Sequence, residues 1–318
     1  MLSPETKQLV FEHVTQVVKS VDPAEMDHET FIILVYVVVD DLFPLIAHYC
    51  QRPGPDPHLS DSEVIALSLV YEWTGWSEKS FYSYIRKNYC HLFPRLNERS
   101  RFNRRRRDLA LIINELRKLL LPELEVYSDR FRILDSLPVR VCRYGRAGRV
   151  KTFRDIANLG VCVAHKEKLF GFRFHFLITW RGVIHDFVLA AANHHDLTVE
   201  EEILAPYQNL QVVEDKAYID EDRRQQLEEE RHITVYTPKR RNQKGYSATE
   251  NWLISHIRQL IETVGSQLVE VFHIGWVRVR SFTGLLLSIY AKITAHTLGI
   301  FLNSLWGREW LHIKELAF

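Results

Sequence analysis

The features missing from this chain narrow its class before any motif does. Four cysteines occur among 318 residues, Cys50, Cys90, Cys142 and Cys162, and none stands in a Cys-x-x-Cys pair. That spacing indicates neither a zinc ribbon nor a disulfide framework, and free thiols in a reducing compartment are expected. No basic stretch followed by an apolar one opens the chain, so no signal peptide is expected and the setting reads as cytoplasmic. Long apolar runs are interrupted. The stretch 282–306 carries Lys292, His296 and Asn303, and a lysine near a bilayer centre costs about 2.5–3.5 kcal/mol. A buried core helix is the expected reading there. The apolar run 31–39 falls short of the roughly 20 residues a span requires. Among 13 glycines none builds a G-x-x-x-x-G-K-[ST] loop, so no nucleotide cofactor is implied. Internal repeats and low-complexity segments are absent. Neither sign of charge dominates, the formal net charge being +1.

What is present suggests two domains. At 46% hydrophobic the chain is long enough to bury a sizeable core. Residues 1–130 read as helical, with helices over 4–21, within 31–49, and over 58–73, where Ser60 and Glu63 have capping-box spacing. Residues 51–57, with three prolines, read as a local loop. Trp73, Trp76, Phe81, Tyr82 and Tyr84 are expected to fill a small helical core. Residues 101–120 look like one long helix with an arginine run near its start. From Phe131 the period changes to two, and residues 131–318 form the second expected domain. Phe172, Phe174, Phe176 and Ile178 share one strand face, Arg173, His175 and Leu177 the other. Trp180, Arg181 and Gly182 make a hairpin turn. Thr198 with Glu201 signals a helix start, and His194, His195 and Asp196 read as a turn into it rather than as a metal cluster, because adjacent residues rarely converge on one ion. A strand over 210–213, a helix over 220–231 and a strand over 233–236 follow.

Charge is unevenly spread. The first 60 residues are acidic, while basic residues gather in blocks at 99–107, 143–154 and 239–244. Location matters more than the sum for contact with polyanions. Arg104, Arg105, Arg106 and Arg107 in the first block, and Lys239, Arg240, Arg241 and Lys244 in the last, are the residues expected to track phosphates. Taken singly, each block also fits a solvated surface.

Three carboxylates carry the functional reading. Asp135 stands among aliphatic residues in ILDSLPV, closed by Pro138, which makes it a strand residue. An unpartnered acid there would need a cation, donors or a proton. Asp215 follows the apolar run 210–213, at a strand's carboxyl end, where sites in open sheets gather. Glu262 lies in a helix signalled by Ser247 and Glu250, at the border of its apolar stripe and one turn after Arg258. Each acid alone fits a turn, a cap or a surface. Strand acid, strand-end acid and helix acid in that order suggest a divalent-metal site.

These residues carry a resemblance. LDSLPV, FGFRFHFLITWRGVIHDFVLAAANHHD, EDKAYID, YTPKRRNQKG and IETVGSQL, spanning about residues 131–272, resemble the catalytic domain of bacterial insertion-sequence transposases of the DDE class. They are most similar to the insertion-sequence family numbered 982. Of a related signature of Tyr, Arg, Glu and Lys on the last helix, Arg258 and Glu262 are present, while Ser255 and Val269 stand at the other two positions and Ala217 replaces a common glycine. The resemblance places metal-binding, catalytic acids at Asp135, Asp215 and Glu262, with Arg173, His175 and Arg258 as candidates to stand around them. It implies a ribonuclease-H-like core of mixed sheet and flanking helices behind a helical DNA-binding region, which the strand and helix order matches. First and fourth strands are neighbours in that topology. It further implies two Mg²⁺ ions, replaceable by Mn²⁺, and double-stranded DNA as partner, both terminal inverted repeats and target. A homodimer on DNA, no membrane and a nucleoid-associated location complete the expectation. A transposase-derived DNA-binding protein without strand transfer and a structure-selective nuclease of the same fold stay open.

Overall fold

The computed structural model describes residues 3–50, 57–162, 167–214, 221–236 and 248–316. Within it the chain forms two compact units. The first comprises residues 1–124, 270–273 and 281–318; the second comprises 125–269 and 274–280. Residues 281–318, expected from the sequence to stay with the second domain, group with the N-terminal helices instead.

The helical unit contains α1 (Pro4–Ser20), α2 (His28–Leu42), α3 (Asp61–Thr74), α4 (Glu78–Asn88), α5 (Arg99–Asp108), α6 (Ala110–Glu123) and α10 (Phe282–Leu305). Short polar side chains start the early helices: Ser3, Asp27, Ser60 and Ser77 each accept a backbone N–H of the first turn, and Ser60 and Glu63 complete the expected capping box. The helix expected over 101–120 is two, because Leu109 leaves helical geometry at φ −90°, ψ 4°. Helix α10 is apolar all round, as a helix with neighbours on every side must be. It has the length and hydropathy of a membrane span, but 78% of its apolar window is buried, against α6, α3 and α5. Trp73, Phe81 and Tyr82 are buried as expected, whereas Trp76 is 38% exposed and meets Tyr84 edge to face.

A buried polar cluster ties these helices. Glu72 of α3 lies 2.5 Å from Lys292 of α10 and 3.7 Å from Arg106 of α5. Arg106 also donates to Ser68 Oγ at 2.9 Å and stacks over Tyr71. One buried carboxylate thus faces two cations, the pairing that makes burial of such charges tolerable.

The second unit is built on a mixed sheet of β1 (Phe131–Arg143), β2 (Asn158–Cys162), β3 (Glu167–Thr179), β4 (Ile184–Ala191), β5 (Gln211–Glu214) and β6 (Thr234–Tyr236). Strand β3 pairs antiparallel with β1 on one side, and with β2 and β4 on the other. On the far side of β1 come β5 and then β6, both parallel. Helices α7 (Asp196–Leu204), α8 (Glu221–Arg231) and α9 (Ala248–Ser266) flank it. Antiparallel β1, β3 and β4, with β5 and β6 parallel to β1, form the ribonuclease-H-like core, and β2 adds an edge strand. The expected hairpin at Trp180–Gly182 is present, Gly182 supplying φ 81°. Gly171 sits where β1 and β3 crowd: a Cβ there would lie 2.2 Å from the Val139 carbonyl oxygen.

Alternation separates the sheet faces. Leu134 and Leu177 pack with Ile203 and Leu204 of α7 and Leu227 of α8. On the opposite face, Asp135 stands beside Phe176 and Leu137 beside Phe174. Helix α9 covers that face, a Cβ at Gly265 falling 3.7 Å from Leu137 Cδ2.

Candidate metal centre

Asp135 is half-buried at the middle of the central strand. Its Oδ1 accepts the Ser136 backbone N–H at 2.7 Å, and the ladder explains why that N–H needs it. Even-numbered residues of β1 direct their peptide groups away from β3: Gln211 N–H donates to the Arg130 carbonyl, and Arg140 N–H donates to the Gly275 carbonyl, both at 2.9 Å. Strand β5 pairs with β1 only as far as Leu134, and the next neighbour on that side is Trp276, bridged to Arg140. Among the described residues, a slot therefore opens beside Ser136 and Pro138. Pro138 has no N–H to leave unsatisfied, which is why a proline is tolerated in a central strand.

Beside the slot, β5 ends at Glu214, which faces α7 and α8 because it shares the side of Val212. Its side chain is 2% exposed. Burial first, and Glu200 second, raise its pKa well above the ordinary carboxyl range, against Arg224 and Arg223. Arg223 in turn lies 3.3 Å from both Glu200 and Glu201. Two buried acids facing each other hold a proton between them more readily than two charges. This anchor was not read from the sequence, although two consecutive acids at a strand end imply that only one can face the site. Asp215, the other of the two, lies outside the described residues.

Glu262 is exposed on α9, one turn before Gly265, so its helix is the one laid over the Asp135 face. The Arg258 side chain, Ser247, residues 51–56, and Lys239, Arg240, Arg241 and Lys244 lie outside what is described. Among the described residues no three His, Cys, Asp or Glu side chains cluster as a metal site.

Arg173 and His175 occupy the other face of the sheet, opposite Pro138 and Ser136. They do not join Asp135, because strand alternation sends them toward α7. Arg173 donates to Asp196 and to the Val161 carbonyl oxygen. His175 is buried with Nε2 4.0 Å from Asp196 Oδ1, and burial pushes its pKa down to about 4, Asp196 opposing and Arg173 adding to the shift. The His195 side chain accepts the Leu197 N–H at 3.4 Å, so α7 begins at Asp196, slightly earlier than the Thr198 signal.

The arginine block of α5 divides in the same way. Arg105 grips Asp61 through two hydrogen bonds of 2.7 and 2.5 Å, and Arg106 is buried at Glu72. These two arginines hold the helical unit together and are withdrawn from the surface expected to meet phosphates. Arg104 and Arg107 are exposed.

Residues 127–282 match the family model described as a transposase DDE domain. The matched stretch contains Asp135, Asp215 and Glu262 and runs through the whole sheet of the second unit. This supports a DDE transposase at the level of the domain. No curated protein and no solved structure matches the chain.

Proposed function

We propose that the protein is a DNA transposase of the insertion-sequence type, most similar to the family numbered 982, cutting element ends and joining them to target DNA. The observation that supports this reading is which elements carry the acids. Asp135 lies mid-strand on the face covered by α9, the helix of Glu262, and β5 runs parallel to β1 and ends one residue before Asp215.

The donor set suits hard divalent ions such as Mg²⁺, with Mn²⁺ as substitute, since all three groups offer carboxylate oxygen. Two such ions, when bound, would supply activation of water and later of a DNA 3′-hydroxyl, and charge stabilisation at the leaving oxygen. Asp135 holds its carboxylate fixed through the Ser136 N–H, which orients one oxygen before any ligand arrives. Glu200, Glu214 and Arg223 anchor the strand that leads into Asp215. Glu262 approaches from a helix, so its reach depends on α9 staying packed at Leu137. Two ends must be held together for joining, which favours a homodimer on DNA.

The test uses the full chain with Mg²⁺ and linear duplexes carrying the DNA that flanks its gene on either side. Cutting at paired inverted repeats followed by joining is the expected outcome, lost in Asp135→Asn, Asp215→Asn and Glu262→Gln while binding persists. Cutting without end preference or joined products would point to a nuclease instead. Binding without metal-dependent cutting would point to a DNA-binding descendant.

A further inference from the structure

Basic residues in this chain are commonly neutralised inside it: Arg105 by Asp61, Arg106 by Glu72, Arg173 by Asp196, Arg223 by Glu200. The segment between β1 and β2 departs from that habit. From residue 136 to 154 the sequence has six basic residues and no acid. Arg143, Arg146, Arg149, Lys151 and Arg154 are exposed, as is Lys168 across the β2–β3 hairpin. Among the described residues none of these six side chains forms an ion pair. Lys168 instead sits 5.4 Å over the ring of Tyr144, itself 48% exposed. Arg143 ends β1, Arg146 and Arg149 lie in the helical turn Tyr144–Arg149, and Lys168 stands near the start of β3.

So many like charges without partners raise the free energy of the compact state unless a polyanion meets them. Position suggests which one. Strand β1 runs without a break in chain from Asp135 to Arg143, which at about 3.3 Å per residue is roughly 26 Å. Successive phosphates of a duplex advance about 3.4 Å along its axis on each strand. A duplex running outside the sheet, parallel to β1, would therefore reach the basic group about eight base pairs from a phosphate at Asp135.

We propose that Arg143, Arg146, Arg149, Lys151, Arg154 and Lys168 form a phosphate track for duplex DNA flanking the cut site. The distance rests on the reading of Asp135 as a catalytic acid; the contact itself does not. Because phosphates carry no sequence information, the track would hold duplex of any sequence and fix the register of the cut strand.

The experiment measures affinity of the full chain for a random-sequence duplex of about three helical turns across a salt series. Replacing Arg143, Arg146, Arg149 and Arg154 together by Ala should flatten the plot of log affinity against log salt by about 0.9 per lost contact, near 3.6 for four. Replacing the same four by Lys should keep the slope, since a point charge still meets a phosphate. Both variants should melt like the parent, all four sites being exposed. On flank DNA cut by the protein, trimming the duplex to about four base pairs beyond the cut should weaken the parent to the level of the Ala variant and leave that variant unchanged. An Ala variant with the parent slope, a Lys variant that loses it, or a parent without salt-dependent binding would each overturn the proposal. Absence of cutting by the parent would sink the catalytic reading while the random-duplex slopes still decide this one.

Discussion

Leu134 and Glu214 face each other at the last step of the parallel β1–β5 pair, and the residue after each is an aspartate. Neighbouring strands lie about 4.8 Å apart, so the pairing separates two kinds of acid. Glu214 turns to the α7 and α8 side, Asp135 to the α9 side. Asp135→Asn should abolish metal-dependent cleavage, a larger loss than the roughly 10–100-fold common for groups supporting a ligand. Glu214→Gln should keep detectable cleavage, because its side chain faces away. Rates measured on one duplex with both variants check this, and equal losses would contradict the assignment of faces.

Ca²⁺ should support binding to DNA but little cutting, because its larger and looser oxygen shell does not impose the compact geometry of Mg²⁺. Parallel binding and cleavage assays in the two ions read the difference. Robust cutting in excess chelator would remove metal from the mechanism.

Arg106→Ala should destabilise the helical unit by about 3 kcal/mol, the lower end of what breaking a buried ion pair costs, because Lys292 stays with Glu72. Arg104→Ala with Arg107→Ala should leave stability unchanged and flatten the salt slope by about 1.8 if both meet phosphates. Denaturant melts and salt titrations of the two variants separate these roles. The contrast is between neighbours in one arginine run.

Stability should fall as pH drops from about 6.5 toward 4. His175 is pushed down to about 4 and His296 to about 3, burial being the main cause for each. In that window the unfolded chain binds protons that the folded chain refuses, so the folded state gains stability as pH rises and is complete above the unfolded histidine range. Urea midpoints for the parent and His175→Gln over this range should converge at the acid end. A parent midpoint independent of pH would contradict the burial of both neutral rings.

Gly171→Ala should cost about 1–3 kcal/mol, the usual range for overpacking, since the new methyl meets the Val139 carbonyl, backbone that cannot swing aside. A thermal melt checks it, and an unchanged midpoint would mean that β1 and β3 separate easily at that point.

Local pattern made much of the fold legible. Alternation through Phe172, Phe174, Phe176 and Ile178 announced β3, and Ser60 with Glu63 announced the start of α3. Long-range pairing was not legible in the same way. Nothing near Arg105 or Arg106 in sequence names Asp61 or Glu72 as partner, so an inward-facing half of the block looked like surface. Alternation puts Arg173 and His175 on one strand face, and the β1–β3 register agrees. Which face Asp135 shared depended on the β1–β3 register, a fact of pairing between distant residues. Lys292, His296 and Asn303 mark α10 as a core helix rather than a membrane span, but nothing in that run says which neighbours bury it.

Pro138 has a consequence beyond tolerance. Among the described residues β1 lacks a paired neighbour beside Ser136 and Pro138, and a strand flank with free donors and acceptors invites addition of a further strand. A foreign segment entering there would meet a proline ring where it needs a donor, next to an N–H already engaged by Asp135. To a foreign backbone that stretch offers carbonyl acceptors but no free N–H donor. The same stretch thus discourages strand addition through its backbone while presenting a carboxylate through Asp135.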